Sequence, residues 1–475
     1  MSATSADRVL PIEQAGLDRI RPDQRKGRPH SLFGIWSSTN LTPATFVTGA
    51  LGVQLGLSLP MAIFASIIGI LLGSTLIPTK SYVGFRLGIP QMLMSRATFG
   101  RIGAVLPSLI GLFSFIGWFT VLDVLGAMAL NDGLGIPLIP GIIVLGLITL
   151  AVAMIGHDLV HKVEKWVAAA VAIVFVILVF VAFNDIQWDY AGDTALTGGE
   201  KWGLFGAIVG IAFTYSGPGY TPYASDYTRY LPLKTTFRQI FTPSFLGMAL
   251  SCTFVFALGA AIATIDPTAD ATALVGQVSG GLKIPIALAF AAGTVGANVL
   301  NVYSGSLTTL VFGLRVSRWA TAAGVAAFGT VLAIVFRENF AANYEKWLLA
   351  VQYTVPAMDA IFLADFFLVK KGRHGYSDVD FSLERANPAF HWRAWLAYLV
   401  GVAVCIPFMS SFIHTGSVAI ALDGADLSYL VSMVVAALIY CGTSISIARS
   451  KGRLRSRNIR DDQPGLADID PDHAL

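Results

Sequence analysis

Two polar interruptions within apolar surroundings hold the chemistry that this sequence offers. The longer is Thr214-Tyr-Ser-Gly-Pro-Gly-Tyr-Thr-Pro-Tyr-Ala-Ser-Asp-Tyr-Thr-Arg-Tyr-Leu-Pro232, inside an apolar stretch that begins near Trp202. Pro218 and Pro222 lack the N–H that a helix needs, and Gly217 and Gly219 relax the backbone, so a helix breaks here. The shorter is Trp36-Ser-Ser-Thr-Asn-Leu-Thr-Pro43, followed by Thr45, Thr48 and Gly49. In hydrocarbon, the N–H and C=O groups freed by a break must be buried in protein or face a wet cavity, so each break is a candidate ligand site. A plain proline kink, or hydroxyls bonding back to their own helix, is the alternative account of either.

Other residues of chemical interest lie in neighbouring apolar stretches. Trp118 follows Gly117, and its flat π face suits a planar heterocycle, an offset stack being worth about 0.5–1.5 kcal/mol beyond area burial; a packed core aromatic is the other reading. Asn298 and Asn301 are three apart and share a helical face. Their amides offer donors and an acceptor to a heterocycle edge, or to a neighbouring helix. Around Ser216, Gly217 and Gly219 the exposed backbone can offer the same groups. Asp123 and Asp359 are carboxyls within apolar segments, where each must face a cavity, pair or hold a proton. Either can serve as a proton carrier or as a structural hydrogen-bond donor. Asp226, Arg229 and the tyrosines beside them are expected to anchor one end of the interrupted helix.

These residues need a scaffold, and composition names it. The 475 residues are 55% hydrophobic and 13% charged, with a mean hydropathy of +0.67, outside the range of soluble globular chains. A helical span takes about 20 largely apolar residues. Twelve such stretches are readable, near 32–58, 60–78, 102–131, 136–157, 164–184, 203–222, 240–264, 284–313, 317–336, 345–369, 392–413 and 427–448. An even count puts both termini on one side. With the termini inside, Lys and Arg, including Lys80, Arg86, Arg96 and Arg229, collect in inner segments, and Lys201, Lys283, Arg337 and Lys346 fall outside. That is the positive-inside pattern, so a multi-pass cell-membrane protein with cytoplasmic termini is expected. Topology explains the net charge of +3, and no nucleic-acid partner follows. Cys252, Cys405 and Cys441 read as small core residues. His157, Asp158, His161 and Lys162 read as a solvated turn. No metal-ligand spacing, P-loop or hydrolytic motif is present.

The interruptions fall in spans one and six, five spans apart, which is the sequence pointer to a transporter site between inverted repeats. Four elements then carry a family resemblance: Ser95-Arg-Ala-Thr-Phe-Gly100, Gly117-Trp118, Pro222-Tyr-Ala-Ser-Asp-Tyr-Thr-Arg-Tyr-Leu-Pro232 and Asn301-Val-Tyr-Ser304. Over about residues 10–450 the chain resembles the nucleobase:cation symporter family, the cytosine, purine, hydantoin and allantoin permeases. The resemblance implies an all-α membrane protein with a five-plus-five inverted-repeat transporter fold and two extra C-terminal spans. Residues 1–30 would be a cytoplasmic tail, 31–184 the first repeat, 185–370 the second, 371–448 two peripheral spans and 449–475 a disordered tail.

It also implies symport of a nucleobase or related heterocycle with a cation, and no cofactor or enzymatic step. Trp118 would stack the ring, and Asn301 would read its polar edge. The span-six backbone at Ser216, Gly217 and Gly219, with Thr42 of span one, completes the expected site, and Asn298 is expected to bridge helices or to assist. Sodium-coupled relatives use adjacent Ser and Thr hydroxyls in span eight, which fall here at Val295 and Gly296. Carbonyls of the Ser38 to Leu41 region remain, and Thr294 substitutes only with a register shift of one. Proton coupling is therefore expected over Na⁺. Asp123 stands where relatives have a small or amide residue and Asp359 where they have glycine, so these two are the candidate proton carriers. An uncoupled facilitator or channel is the competing class, and a membrane-embedded enzyme lacks a His or metal set beside its acids.

Overall fold

The computed structural model describes residues 16–155, 157–411 and 414–455, and side chains over these except 155–166 and 446–455. The His157 to Lys162 cluster and the tails beyond these limits thus lie outside the described side chains. Helices dominate: α1 (Ser31–Ser38), α2 (Pro43–Gln54), α3 (Leu59–Ser74), α4 (Leu76–Leu87), α5 (Met94–Phe99) and α6 (Val105–Leu134) come first. Next are α7 (Leu138–Ile155), α8 (His157–Ala182), α9 (Gly198–Ser216), α10 (Ala224–Thr228), α11 (Phe237–Ala263) and α12 (Ala271–Val278). The chain closes with α13 (Lys283–Val311), α14 (Arg318–Phe336), α15 (Phe340–Ala364), α16 (Trp392–Cys405), α17 (Ser417–Ala421) and α18 (Ser428–Arg455). Seven helical segments among the described residues are long and apolar enough to cross a membrane, and three shorter apolar helices, Leu138–Met154, Val167–Ala182 and Trp392–Phe408, accompany them. The interrupted pairs α1/α2 and α9/α10 supply the remaining two of the twelve expected spans.

Both interruptions have local causes. Thr42 is extended (φ −139°, ψ 156°) and its hydroxyl accepts from the Thr45 N–H, while Pro43 occupies the first helical position, so α2 begins afresh after α1. In the second half α9 stops at Gly217, Gly219 N–H turns back to the Thr214 carbonyl at 2.8 Å, and a 3-10 turn over Thr221–Tyr223 leads into α10.

Packing sorts the helices into two groups. One contains α1, α2, α3, α9 and α11; the other contains α6, α7, α8, α13 and α14. Spans one and two thus pack with six and seven, and spans three to five with eight and nine, the interleaving of two five-span halves. α15 lies against α9 and α6, and α16 and α18 cover it from outside. Within the first group α2 and α11 touch backbone to backbone: a Cβ on Gly49 would collide with Phe256 O, and one on Gly259 with Phe46 O. Small residues at such crossings are what lets membrane helices approach.

Two parts of the chain differ from the sequence expectation. Residues 16–30 do not trail free. Ile20 N–H donates to Gly88 O at 2.9 Å, Gly27 N–H to Tyr230 O at 3.0 Å, and Arg25 Nη1 to Phe85 O at 2.9 Å. Burial, with Arg373 and Arg19 nearby, pushes the Arg25 guanidinium down to about 10. Lys80, counted among the inner surface charges, is fully buried in α4. Its position at the end of an apolar run matches that of any membrane-edge lysine, and its partner lies far along the chain.

The connector between α4 and α6 is buried almost throughout. Arg96 of its Ser-Arg-x-x-Phe-Gly element donates to Val311 O at 2.6 Å and Phe381 O at 3.1 Å, closing the C-terminus of α13. Gly100 ends the element at φ +96°, where a Cβ would also meet Ala389 O at 2.7 Å.

Candidate substrate and coupling sites

α6 carries Trp118 into the space between the two groups, leaving 1% of it exposed. Its indole N–H donates to Gly219 O at 2.8 Å, and Ser114 Oγ donates to the same oxygen at 3.3 Å. The Tyr220 ring stacks on it at 5.3 Å and 19°, with Tyr215 edge-on at 4.9 Å and Trp347 edge-on at 4.8 Å. Both breaks are tied to this cluster. Tyr220 Oη donates to Thr39 O at 3.2 Å, and the Tyr215 hydroxyl pairs with Thr45 Oγ1 at 2.6 Å. Thr45 Oγ1 lies in turn 3.1 Å from Thr42 Oγ1. The result is a box of aromatic faces with backbone oxygen at its rim, suited to a flat ring with polar edges.

Other expected site residues are distributed around this box. Gly219 sits against Trp118, whereas Ser216 Oγ donates to Ala212 O at 2.8 Å and Ile70 O at 3.3 Å, and Gly217 packs on Gly73. Ser216 and Gly217 therefore face α3. Asn298 Nδ2 donates to Phe119 O at 3.1 Å, joining α13 to α6, and Asn301 Nδ2 donates to Asn298 Oδ1 at 3.0 Å. That leaves the buried Asn301 Oδ1 as an acceptor without a partner among the described residues.

Tyr215, Tyr220 and Trp347 are not among the residues expected at the site from sequence, and Thr45 is named there only as part of the first interruption. The two tyrosines stand inside the interrupted stretch, and Thr45 follows the first break, so position could have pointed to them. Trp347 carried no such signal.

Where span one meets span eight, Leu41 O points at Gly293, a Cβ on which would lie 2.5 Å from it. The hydroxyls nearby turn elsewhere: Ser38 Oγ donates to Ile35 O at 2.8 Å, and Thr294 Oγ1 to Leu122 O at 3.3 Å. A hard cation here would find carbonyl oxygen and no hydroxyl from these two side chains.

Asp123 and Asp359 are both fully buried. Five residues beyond Trp118 is about 140° around a helix, so Asp123 faces away from the aromatic box. Its Oδ2 lies 3.5 Å from where a Cβ on Gly146 of α7 would stand, with Thr330 of α14 at the same spot. Neither carboxyl oxygen has a hydrogen-bond partner among the described residues, and the buried Thr149 hydroxyl of α7 also has none. Asp359 is engaged at both oxygens, by Lys80 Nζ at 2.5 Å and by Thr221 Oγ1 at 2.5 Å.

Comparison with known proteins bears on the fold and the family. Residues 19–432 match the family model of permeases for cytosine/purines, uracil, thiamine and allantoin. YxlA of Bacillus subtilis, assigned as a purine-cytosine permease, is 29% identical over 91% of this chain and 95% of its own length. The purine-cytosine permease fcyB of Emericella nidulans is 27% identical over 91% of this chain and 88% of its own. Among solved structures, Mhp1, a nucleobase-cation-symport-1 family transporter, superposes in a closed conformation with bromovinylhydantoin bound at a TM-score of 0.75. That alignment covers 93% of this chain and 96% of Mhp1 at 18% identity, a likeness of fold. A helical membrane fold broken at spans one and six, an aromatic box where the breaks meet and a family match over most of the length agree: this chain belongs to the cytosine/purine permease family of nucleobase:cation symporters.

Proposed function

We propose that this chain is a secondary active symporter that imports a nucleobase, cytosine or a purine, or a closely related planar heterocycle, together with protons. The observation that carries the reading is the Trp118 face set against Tyr220, with Gly219 backbone at its edge. Two ring stacks of about 3.5 Å each need roughly 7 Å between flanking faces. Trp118 and Tyr220 centroids are 5.3 Å apart, so Tyr220 swings aside to admit a ring and closes over it. Asn301 Oδ1 then offers an acceptor to a ring N–H or exocyclic amine. The names of the relatives, purine-cytosine permeases, support the same substrate class.

Proton coupling rests on Asp123. A buried ionised carboxylate without a partner costs several kcal/mol, so Asp123 binds a cation, and the proton is the one its setting accommodates. Sodium coupling has in its favour the Leu41 carbonyl alone. Both termini are cytoplasmic in this reading, on the strength of the Lys and Arg distribution, and alternating access comes from movement of the α1/α2/α3/α9/α11 group against the other.

Uptake of radiolabelled cytosine into proteoliposomes, with competition by adenine, hypoxanthine, uracil, allantoin and hydantoin, tests the proposal. Accumulation driven by an imposed pH gradient alone is the expected result. A requirement for Na⁺ would move coupling to the Leu41 region, and uptake that only equilibrates would make the protein a facilitator.

A further inference from the structure

Lys80, Asp359 and Thr221 come from three separate elements: α4, α15 and the turn between α9 and α10. Lys80 Nζ meets Asp359 Oδ1 at 2.5 Å and stands over the Phe362 ring at 5.2 Å, while Thr221 Oγ1 donates to Asp359 Oδ2. Thr221 directly follows the two residues of the turn that touch Trp118, Gly219 through its carbonyl and Tyr220 through its ring. Its own N–H and that of Tyr220 both donate to Gly217 O, at 3.0 and 2.9 Å. The turn is therefore a compact unit, and Thr221 is the point at which a side chain fastens it to α15.

On the other side, α10 is bolted to α4. Ser81 Oγ donates to Ala224 O at 3.0 Å, Ser225 Oγ to Lys80 O at 2.9 Å and Thr228 Oγ1 to Ser81 O at 2.7 Å. Lys80 thus belongs to the same rigid piece as the start of α10, and Asp359 holds that piece and the turn to α15 together. A buried ion pair is a weak source of stability, since apolar residues of like volume often do as well; its better-attested use is to specify one arrangement. This pair has no net charge and both carboxylate oxygens are occupied, unlike Asp123.

We infer that Asp359 is a positioning residue for the substrate site: it fixes the Thr221 hydroxyl, and Thr221 sets Gly219 and Tyr220 against Trp118, while Lys80 balances the Asp359 charge. The inference rests on the reading that the Trp118 box binds the heterocycle.

Paired substitutions in the full chain test it without leaving a lone buried charge. In K80M/D359L the α15 acceptor for Thr221 is gone, and its hydroxyl keeps only Pro218 O of its own turn, at 3.3 Å. In K80M/D359N the amide oxygen still accepts its hydroxyl. For radiolabelled cytosine in proteoliposomes, K80M/D359L raises KM about tenfold with Vmax within about twofold, and T221V does the same, the scale of one lost hydrogen bond. K80M/D359N keeps KM within about twofold of the parent, and all three still accumulate cytosine along a pH gradient. A parental KM in K80M/D359L overturns the inference. So does loss of pH-driven accumulation in K80M/D359N, which would make the pair itself the proton carrier.

Backbone hydrogen exchange across residues 217–223 reads the same contact without substrate. Faster exchange is expected in K80M/D359L and parental exchange in K80M/D359N; equal exchange in the two overturns the inference. Should the parent transport none of the heterocycles, the transport reading fails on its own, and exchange alone decides whether the pair holds the turn.

Discussion

Asp359 accepts from Lys80 and Thr221, whereas Asp123, equally buried, meets no hydrogen-bond donor among the described residues. Both are carboxyls in the middle of helices, and neither is within reach of bulk water. Partnership alone separates them. A carboxylate gripped at both oxygens is a joint, useful for holding elements in register. One that meets no donor can change its protonation without breaking an existing bond. The same residue type, equally buried, therefore suits opposite tasks, and a buried acid in a transporter is informative only together with what touches it.

The sharpest test of this contrast is stability. Asp359→Leu alone strands the Lys80 ammonium and is expected to cost about 3–5 kcal/mol, seen as a large fall in Tm or in monodisperse yield in detergent. Asp123→Leu removes a polar group with no partner, so its stability is expected to hold or rise, by up to about 1–3 kcal/mol. Equal losses from the two would dissolve the distinction. Coupling comes next in size. If Asp123 carries one proton per cycle, a gradient of one pH unit supports about tenfold accumulation, or 1.4 kcal/mol. Asp123→Asn should abolish that response while the folded yield stays intact; persistence of pH-driven accumulation would reassign the proton.

Trp118→Ala tests the aromatic box. Loss of the stack is expected to weaken heterocycle binding about three- to tenfold without loss of folded protein, and isothermal titration with cytosine measures it. An unchanged affinity would remove the stacking role. The smallest expected effect is that of Thr149→Val, which deletes a buried α7 hydroxyl that has no hydrogen-bond partner among the described residues. A change within about 0.5 kcal/mol in unfolding is expected, and a larger loss would mean that this hydroxyl holds a partner in the folded protein.

Much of the architecture was legible without coordinates. The apolar runs announce the spans because hydrocarbon demands about 20 consecutive apolar residues, and the Pro and Gly residues at 43, 217, 218, 219 and 222 announce the breaks because no continuous helix accommodates them. Gly219 and Thr42 stand out that way, as does the pairing of interruptions in spans one and six, whereas Trp118 stands out by its aromatic face and the family resemblance. Arg96 and Gly100 were visible as a motif, though not as the closure of α13.

What remained hidden depends on helix faces. A helix such as α6 is apolar nearly all round, so periodicity gives no face to its residues. The sequence therefore puts Trp118 and Asp123 in one span but cannot say that one looks at Tyr220 and the other at Gly146. Ser216 and Gly217 sit beside Gly219 in the chain, yet a turn at Pro218 sends them to α3. Thr294 has the right chemistry for a cation, and its rotation on α13 spends the hydroxyl on Leu122 O. Lys80 read as a surface charge because its counter-ion is 279 residues away. Composition and local backbone chemistry determined the spans and their breaks, which depend on neighbours in sequence. Which polar groups meet, and which are left alone, depends on partners brought together only when the helices pack.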